Sequence, residues 1–271
     1  MAAQALSGAA KDLANMTGSK NALKGLGFLL GGVMLSWLGF AASLWVMAGC
    51  LAAVLVAAVL QLQQDMGKSK SKVKFSQLFS KSREINVLSF ARFFLFGSRD
   101  VWFVVGLPIY LGDVLGWGYS GVGAFLAAWI IGYGFMQALA PRFLRHGRGD
   151  EKAAQVWGFV LAAVSAAIAL AVQTNFYPAT SILAGLSLFA LVFAVNSAVH
   201  SYLILAYTDE DKVALNVGFY YMANACGRLV GTLLSGVVYL AAGLPGCLWV
   251  STGMVVAAAG LTLLLPPIGH Q

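Results

Sequence analysis

Long uncharged runs of apolar residues restrict the fold of this chain more than any other feature of its sequence. Several runs reach about 20 residues, enough for an α-helix to cross a hydrocarbon layer of roughly 30 Å. Lipid is the expected solvent because 60% of the residues are hydrophobic and 10% are charged, against about 25% charged residues in soluble domains. Helices are expected because backbone polar groups within a membrane must be satisfied inside their own segment.

The ends of the apolar runs predict an all-α polytopic bundle of about eight transmembrane helices. A membrane barrel would instead show segments of about ten residues with period-two alternation, and no such alternation is visible. The predicted spans lie near residues 10–39, 43–62, 87–111, 119–140, 153–172, 179–206, 214–241 and 246–265.

Basic residues in the predicted loops lie on one side of the bundle. The opposite loops, around residues 40, 112–118, 173–179 and 243, contain no Lys or Arg. The positive-inside rule therefore predicts a multi-pass protein of the bacterial inner membrane with the basic loops and both termini in the cytoplasm. We interpret the net charge of +7 as a topology signal and not as a nucleic-acid signal. The loop cations are Lys68, Lys70, Lys72, Lys74, Lys81, Arg83, Arg142, Arg145, Arg148, Lys152 and Lys212.

An internal repeat links the two ends of the chain. Residues 24–33 align without gaps on residues 228–237, and Lys24 then corresponds to Arg228. Each copy is followed by a short uncharged turn and one more span, as in transporters built from parallel repeats. The first two spans are therefore predicted to be copies of the last two.

The repeat predicts a domain division. Residues 1–66 would form the last two helices of an N-terminal bundle, and residues 87–271 would form a six-helix C-terminal bundle. The spans within 87–206 have no upstream counterparts, so four helices of the N-terminal bundle are expected to be missing. Residues 67–86 form a basic cytoplasmic linker, which is either solvated or bound to anionic lipid headgroups.

Charged side chains within spans are costly and therefore indicate function. Arg92 and Arg99 are seven residues apart, which places them on one helical face at about 3.6 residues per turn. Arg228 lies deep in the seventh span, and Lys24 is its counterpart in the repeat. Guanidinium groups bind phosphate and carboxylate in a bidentate manner, so these four cations are candidate residues for binding an anionic solute.

Other polar residues near these cations leave alternatives open. Tyr221 and Asn224 precede Arg228 by two turns and one turn, and they are candidates for hydrogen bonding to the solute. Asp100 is the acid placed deep in a span; it either neutralises Arg99 or Arg228 or couples transport to protons.

Small residues recur at four-residue spacing in two spans. Gly227, Gly231 and Ser235 form one stripe, and Gly27 and Gly31 form another. Such stripes let helices approach closely, so we expect packing surfaces and not binding chemistry.

Catalytic signatures are missing from the sequence. There is no Walker A loop, and Cys50, Cys226 and Cys247 lie singly in apolar runs without metal-ligand spacing. We therefore expect neither an enzyme nor a cofactor or metal.

Several runs resemble the ArsJ-type organoarsenical efflux permeases of the major facilitator superfamily. They include Arg-Asp-Val-Trp at 99–102 and Tyr-Tyr-Met-Ala-Asn at 220–224, together with residues 17–25, 79–83 and 125–129. The resemblance implies a major facilitator fold with about eight of its twelve helices present. It also implies proton-coupled antiport of an arsenylated phosphoglycerate that a glyceraldehyde-phosphate dehydrogenase partner makes, and hence arsenate resistance.

The resemblance has one competing hypothesis. The chain begins inside what would be the fourth helix of the family, and the usual solute site lies between two six-helix halves. The chain would then be an inactive membrane fragment or an interaction module that requires a companion chain.

Overall fold

The computed structural model describes residues 2–61, 82–143, 150–208 and 213–267, with the side chains of the first helix described from Leu23 onward. Residues 67–81 of the predicted linker lie outside this part of the chain. Within it there is no β-strand, which confirms the predicted all-α class. The elements are α1 (Ala2–Gln61), α2 (Arg83–Phe103), α3 (Gly106–Ile109), a π-helix (Tyr110–Val114), α4 (Tyr119–Phe143), α5 (Asp150–Gln173), α6 (Pro178–Ala206) and α7 (Val213–Thr262).

Six helical segments in the described part of the chain are long and apolar enough to cross a membrane. These segments are characteristic of a membrane helical bundle. The first and last, of 39 and 48 residues, are about twice the length that one crossing needs. The segments are Leu23–Gln61, Arg83–Val114, Tyr119–Leu139, Glu151–Gln173, Pro178–Ala206 and Leu215–Thr262.

The two longest helices are each interrupted at a glycine. Gly39 has φ 73° and ψ 178°, and Gly243 has φ 63° and ψ −164°, a backbone region that is essentially restricted to glycine. The two positions are 243 − 39 = 204 residues apart, which is also the offset between residues 24 and 228. Both copies of the predicted repeat therefore break at the corresponding residue with nearly the same backbone geometry.

The chain reverses direction at Gly243. The Cys247 thiol donates to the Ser235 carbonyl at 3.7 Å although the two residues are 12 positions apart. A straight helix would separate such residues by about 18 Å. α7 is therefore a helical hairpin whose two arms overlap the predicted seventh and eighth spans, and the number of membrane crossings stays a prediction.

The first arm of α7 packs closely against α2. A Cβ atom added to Gly227 would lie 2.1 Å from the Phe93 carbonyl oxygen, and one added to Gly231 would lie 2.4 Å from the Gly97 carbonyl oxygen. This contact confirms the predicted packing role of the stripe at Gly227, Gly231 and Ser235, since only residues without large side chains permit it.

Ser235 continues this contact at the end of α2. Its hydroxyl oxygen accepts hydrogen bonds from the backbone N–H groups of Val105 at 3.3 Å and Gly106 at 3.1 Å. These two N–H groups lie where α2 ends and α3 begins. The Ser235 hydroxyl therefore supplies an acceptor for backbone donors at the break between the two helices.

The part of α1 before Gly39 packs on α4 through different glycines from those predicted. A Cβ atom on Gly32 would lie 3.0 Å from the Gly123 Cα atom, whereas one on Gly27 or Gly31 would meet nothing within 4 Å. The predicted packing role of Gly27 and Gly31 is therefore wrong. Gly27 and Gly31 line cavities instead.

Aromatic residues from three helices fix the position of the second half of α2. The ring of Trp102 is fully buried and meets the rings of Trp129 and Phe189 edge-on, with centroids 5.5 and 5.2 Å apart. The Trp129 indole donates to the Leu186 carbonyl oxygen at 2.7 Å. Edge-to-face pairs of this kind are favourable. They fix the position of the α2 turn that carries Arg99 and Asp100.

Candidate anion-binding site

A cavity of about 380 Å³ lies between α1, α2, α4 and α7 and brings three of the four predicted cations together. We call it the cation pocket. It is lined by Lys24, Gly27, Phe28, Arg99, Asp100, Phe103, Val104, Ile130 and Arg228. The repeat counterparts Lys24 and Arg228 thus reach one cavity from the two ends of the sequence.

Asp100 is held between two guanidinium groups. One carboxylate oxygen accepts from Arg99 Nε at 2.7 Å, and the other accepts from Arg228 Nε at 2.8 Å. The carboxylate side chain is 1% exposed. The predicted neutralisation of Arg99 or Arg228 by Asp100 therefore involves both arginines, and each oxygen holds one of them.

Positive charge exceeds negative charge on the pocket wall. Its lining includes three cationic side chains and one carboxylate. The Arg99 side chain is 7% exposed, while that of Arg228 is 42% exposed. Charges shielded from water interact more strongly than solvated ones, so an anion that enters the cavity meets a net attraction.

Arg92 lies outside the cation pocket. One of its terminal nitrogens donates to the Ser197 carbonyl at 3.1 Å and to the Ser197 hydroxyl at 2.9 Å. Its guanidinium carbon lies 4.0 Å from the ring centroid of Phe96 and 4.8 Å from that of Tyr220. The residue is 2% exposed, so α6 and two aromatic faces enclose it. Solute binding by Arg92 stays a prediction.

Tyr221 and Asn224 also do not line the pocket. The Tyr221 ring centroid lies 5.8 Å from that of Tyr220. The side-chain oxygen of Asn224 is buried and has no hydrogen-bond partner in the described part of the chain. Their predicted hydrogen bonds to a solute remain untested by this geometry.

The pocket contains two aromatic residues that the charge-based analysis missed. Phe28 and Phe103 meet edge-to-face with centroids 5.7 Å apart. Each follows a predicted cation by four residues, Lys24 or Arg99, and residues four apart share one helical face. That spacing was an available signal. No sequence signal identified Ile130, because α4 brings this residue to the pocket through tertiary packing.

Comparison with models of known protein families finds no match, and a search of curated proteins finds no matching relative. Lysine and arginine side chains around a cavity attract and orient an anion through charge-assisted hydrogen bonds.

Proposed function

We propose that this chain is a membrane transporter that binds a small organic anion in the cation pocket. Arg99, Arg228 and Lys24 bind the anionic group of the solute. Asp100 either couples transport to protons or neutralises Arg99 and Arg228. The observation that carries the proposal is the convergence of three cations from three helices on one cavity. Ionisable residues at membrane depth are costly and line solute pathways in transporters.

Two properties of the pocket favour solute binding over a purely structural ion pair. Asp100 carries one carboxylate and contacts two arginines, so the pairing leaves net positive charge at the cavity. The volume of about 380 Å³ also falls within the range of roughly 300 to 1,000 Å³ that is common for small-molecule sites.

The ion-pair geometry supports a coupling role for Asp100. While ionised, the carboxylate holds Arg99 and Arg228 through their Nε atoms. Protonation weakens both contacts and releases the guanidinium groups for the solute. By linkage, proton and anion then favour each other's binding, which favours cotransport over the expected antiport. A dianion that leaves with one proton still carries negative charge outward, and an inside-negative potential drives that movement.

The resemblance to organoarsenical efflux permeases supplies the proposed solute. An arsenylated phosphoglycerate carries tetrahedral oxyanion groups, which suit guanidinium forks. In this proposal a glyceraldehyde-phosphate dehydrogenase makes the solute, and the chain exports it across the bacterial inner membrane by alternating access between the halves of a major facilitator fold. The matched glycine breaks at Gly39 and Gly243 support a repeat of the required kind.

The test is arsenate resistance in exporter-deficient bacteria that also express the dehydrogenase. Arg99→Lys keeps the charge but loses the planar fork, so we expect resistance to fall at unchanged protein abundance in the membrane. Arg83→Lys, at the start of the same helix, is the matched control and should behave as wild type. Equal resistance in both variants would remove Arg99 from the site.

An interaction module that requires a companion chain is the second candidate. The part of α1 beyond Gly39 is almost fully exposed, with Trp45 79%, Leu51 69% and Leu60 79% accessible. Lipid can cover these residues, but the half-exposed Arg228 needs polar surroundings. Co-expression of separately encoded transmembrane helices should then be necessary for resistance. Full resistance from the chain alone would exclude this candidate.

A further inference from the structure

A second cavity, of about 440 Å³, adjoins the cation pocket and differs from it in chemistry. The two cavities share Gly27 and Phe28 as lining residues. The second is lined mainly by apolar side chains from α1, the α3 region and α4, among them Leu35, Ile109, Trp117, Val122 and Leu126. We call it the apolar chamber.

We propose that the cation pocket and the apolar chamber form one two-part site for an amphipathic organic anion. The ligand class is a phosphate or arsonate ester or acid with an aromatic body. Its anionic group binds among Arg99, Arg228 and Lys24, and its ring occupies the chamber. This inference rests on the anion binding proposed for the cation pocket, and it adds aryl phosphates and arsonates as a second ligand class beside the proposed phosphoglycerate.

The shared residue Phe28 provides the junction. Its ring meets Phe103 edge-to-face at 5.7 Å and borders both cavities. Aromatic rings favour offset-stacked and edge-to-face neighbours, so an aryl group extending from the cation pocket meets a suitable partner as it enters the chamber.

Asp113 fixes the orientation of such a ligand. It lines the chamber and does not line the cation pocket. Its carboxylate repels an anionic group from the chamber, while Arg99 and Arg228 attract that group to the opposite part of the site. Only one orientation satisfies both charges, with the anionic group in the pocket and the apolar body in the chamber.

The glycines of α1 make the chamber accessible to mutation. A Cβ atom on Gly31 meets nothing within 4 Å, and Gly31 lines the chamber but not the cation pocket. Gly31→Leu therefore fills the chamber without a clash at the backbone. Gly236 in α7 is equally open and lines neither cavity, which makes Gly236→Leu the matched control.

The experiment is calorimetric titration of the full chain in lipid nanodiscs with methyl phosphate and with phenyl phosphate. We expect phenyl phosphate to bind at least about tenfold more tightly, equivalent to about 1.4 kcal/mol. Gly31→Leu should remove this advantage and leave methyl phosphate affinity unchanged. Gly236→Leu should retain it. If Gly31→Leu does not fold, Val122→Phe fills the same chamber from α4.

The remaining outcomes distinguish failure of the two-part site from failure of the proposed anion binding. Equal affinity for the two phosphates would overturn the two-part site and leave anion binding by the cation pocket standing. Absence of binding for both phosphates would overturn the two proposals together. Retention of the phenyl advantage in both chamber-filling variants would place the ring elsewhere and would also overturn the inference.

Discussion

Removal of the Asp100 charge tests the central ion-pair network. Asp100→Asn keeps the size of the side chain and one acceptor oxygen but leaves Arg99 and Arg228 without their counter-charge. Asp113→Asn is the control, because it makes the same chemical change at an exposed position. We expect Asp100→Asn to destabilise the chain and to strengthen its dependence on bound anion.

The magnitude follows from the burial of each contact. Loss of one partner from a buried ion pair costs about 3–5 kcal/mol, and the Arg99 contact belongs to this class with side chains 7% and 1% exposed. The Arg228 side chain is 42% exposed, so solvent screening reduces its share to about 1 kcal/mol or less. We therefore expect a loss of about 3–6 kcal/mol for Asp100→Asn and less than about 0.5 kcal/mol for Asp113→Asn.

The assay is reversible denaturant unfolding in micelles with and without methyl phosphate. The anion should restore more stability to Asp100→Asn than to wild type, because it supplies the missing negative charge between the arginines. Equal unfolding free energies for Asp100→Asn and Asp113→Asn would show that the Asp100 ion pairs do not stabilise the fold. A loss that methyl phosphate does not reduce would limit Asp100 to a structural role.

Three further predictions follow from the fold and the proposed coupling. Gly227→Ala should cost about 1–3 kcal/mol in unfolding free energy through overpacking against α2, while Gly236→Ala, which has open space at its Cβ position, should be neutral. In a background without native cysteines, a cysteine at position 70 should resist an impermeant reagent outside intact cells and one at position 115 should react; the reverse pattern would invert the topology. The affinity for methyl sulfate should rise in Asp100→Asn, because the substitution removes the carboxylate that competes for Arg99 and Arg228; unchanged affinity would exclude this competition.

The secondary structure was predictable because apolar runs in lipid have few alternatives to helices. The repeat also indicated where the long helices would break, since the turn after each copy contains Gly39 or Gly243. The sequence predicted separate spans at 214–241 and 246–265, and the contact between Cys247 and Ser235 shows that the chain reverses between them. That contact depends on the path of the chain after the break.

The candidate site was predictable only in part. Charge at membrane depth identified Arg99, Arg228, Lys24 and Asp100, which the structure brings to one cavity. The same reasoning grouped Arg92 with Arg99 because they share a helical face. Two turns separate them by about 10 Å along the axis, however, so a common face does not give a common pocket. The apolar chamber arises from packing between α1 and α4, which no local pattern specifies.

The central claim is that Lys24 and Arg228, counterparts in the repeat, bind one anion together. A double-mutant cycle on methyl phosphate affinity, with Lys24→Gln and Arg228→Gln singly and combined, tests it most directly. Residues that share a ligand interact energetically by about 0.5–3 kcal/mol, whereas independent sites add within about 0.3–0.5 kcal/mol. We predict weaker binding in each single variant and an interaction energy above about 0.5 kcal/mol. Unchanged affinity in either single variant, or strict additivity in the double variant, would contradict it.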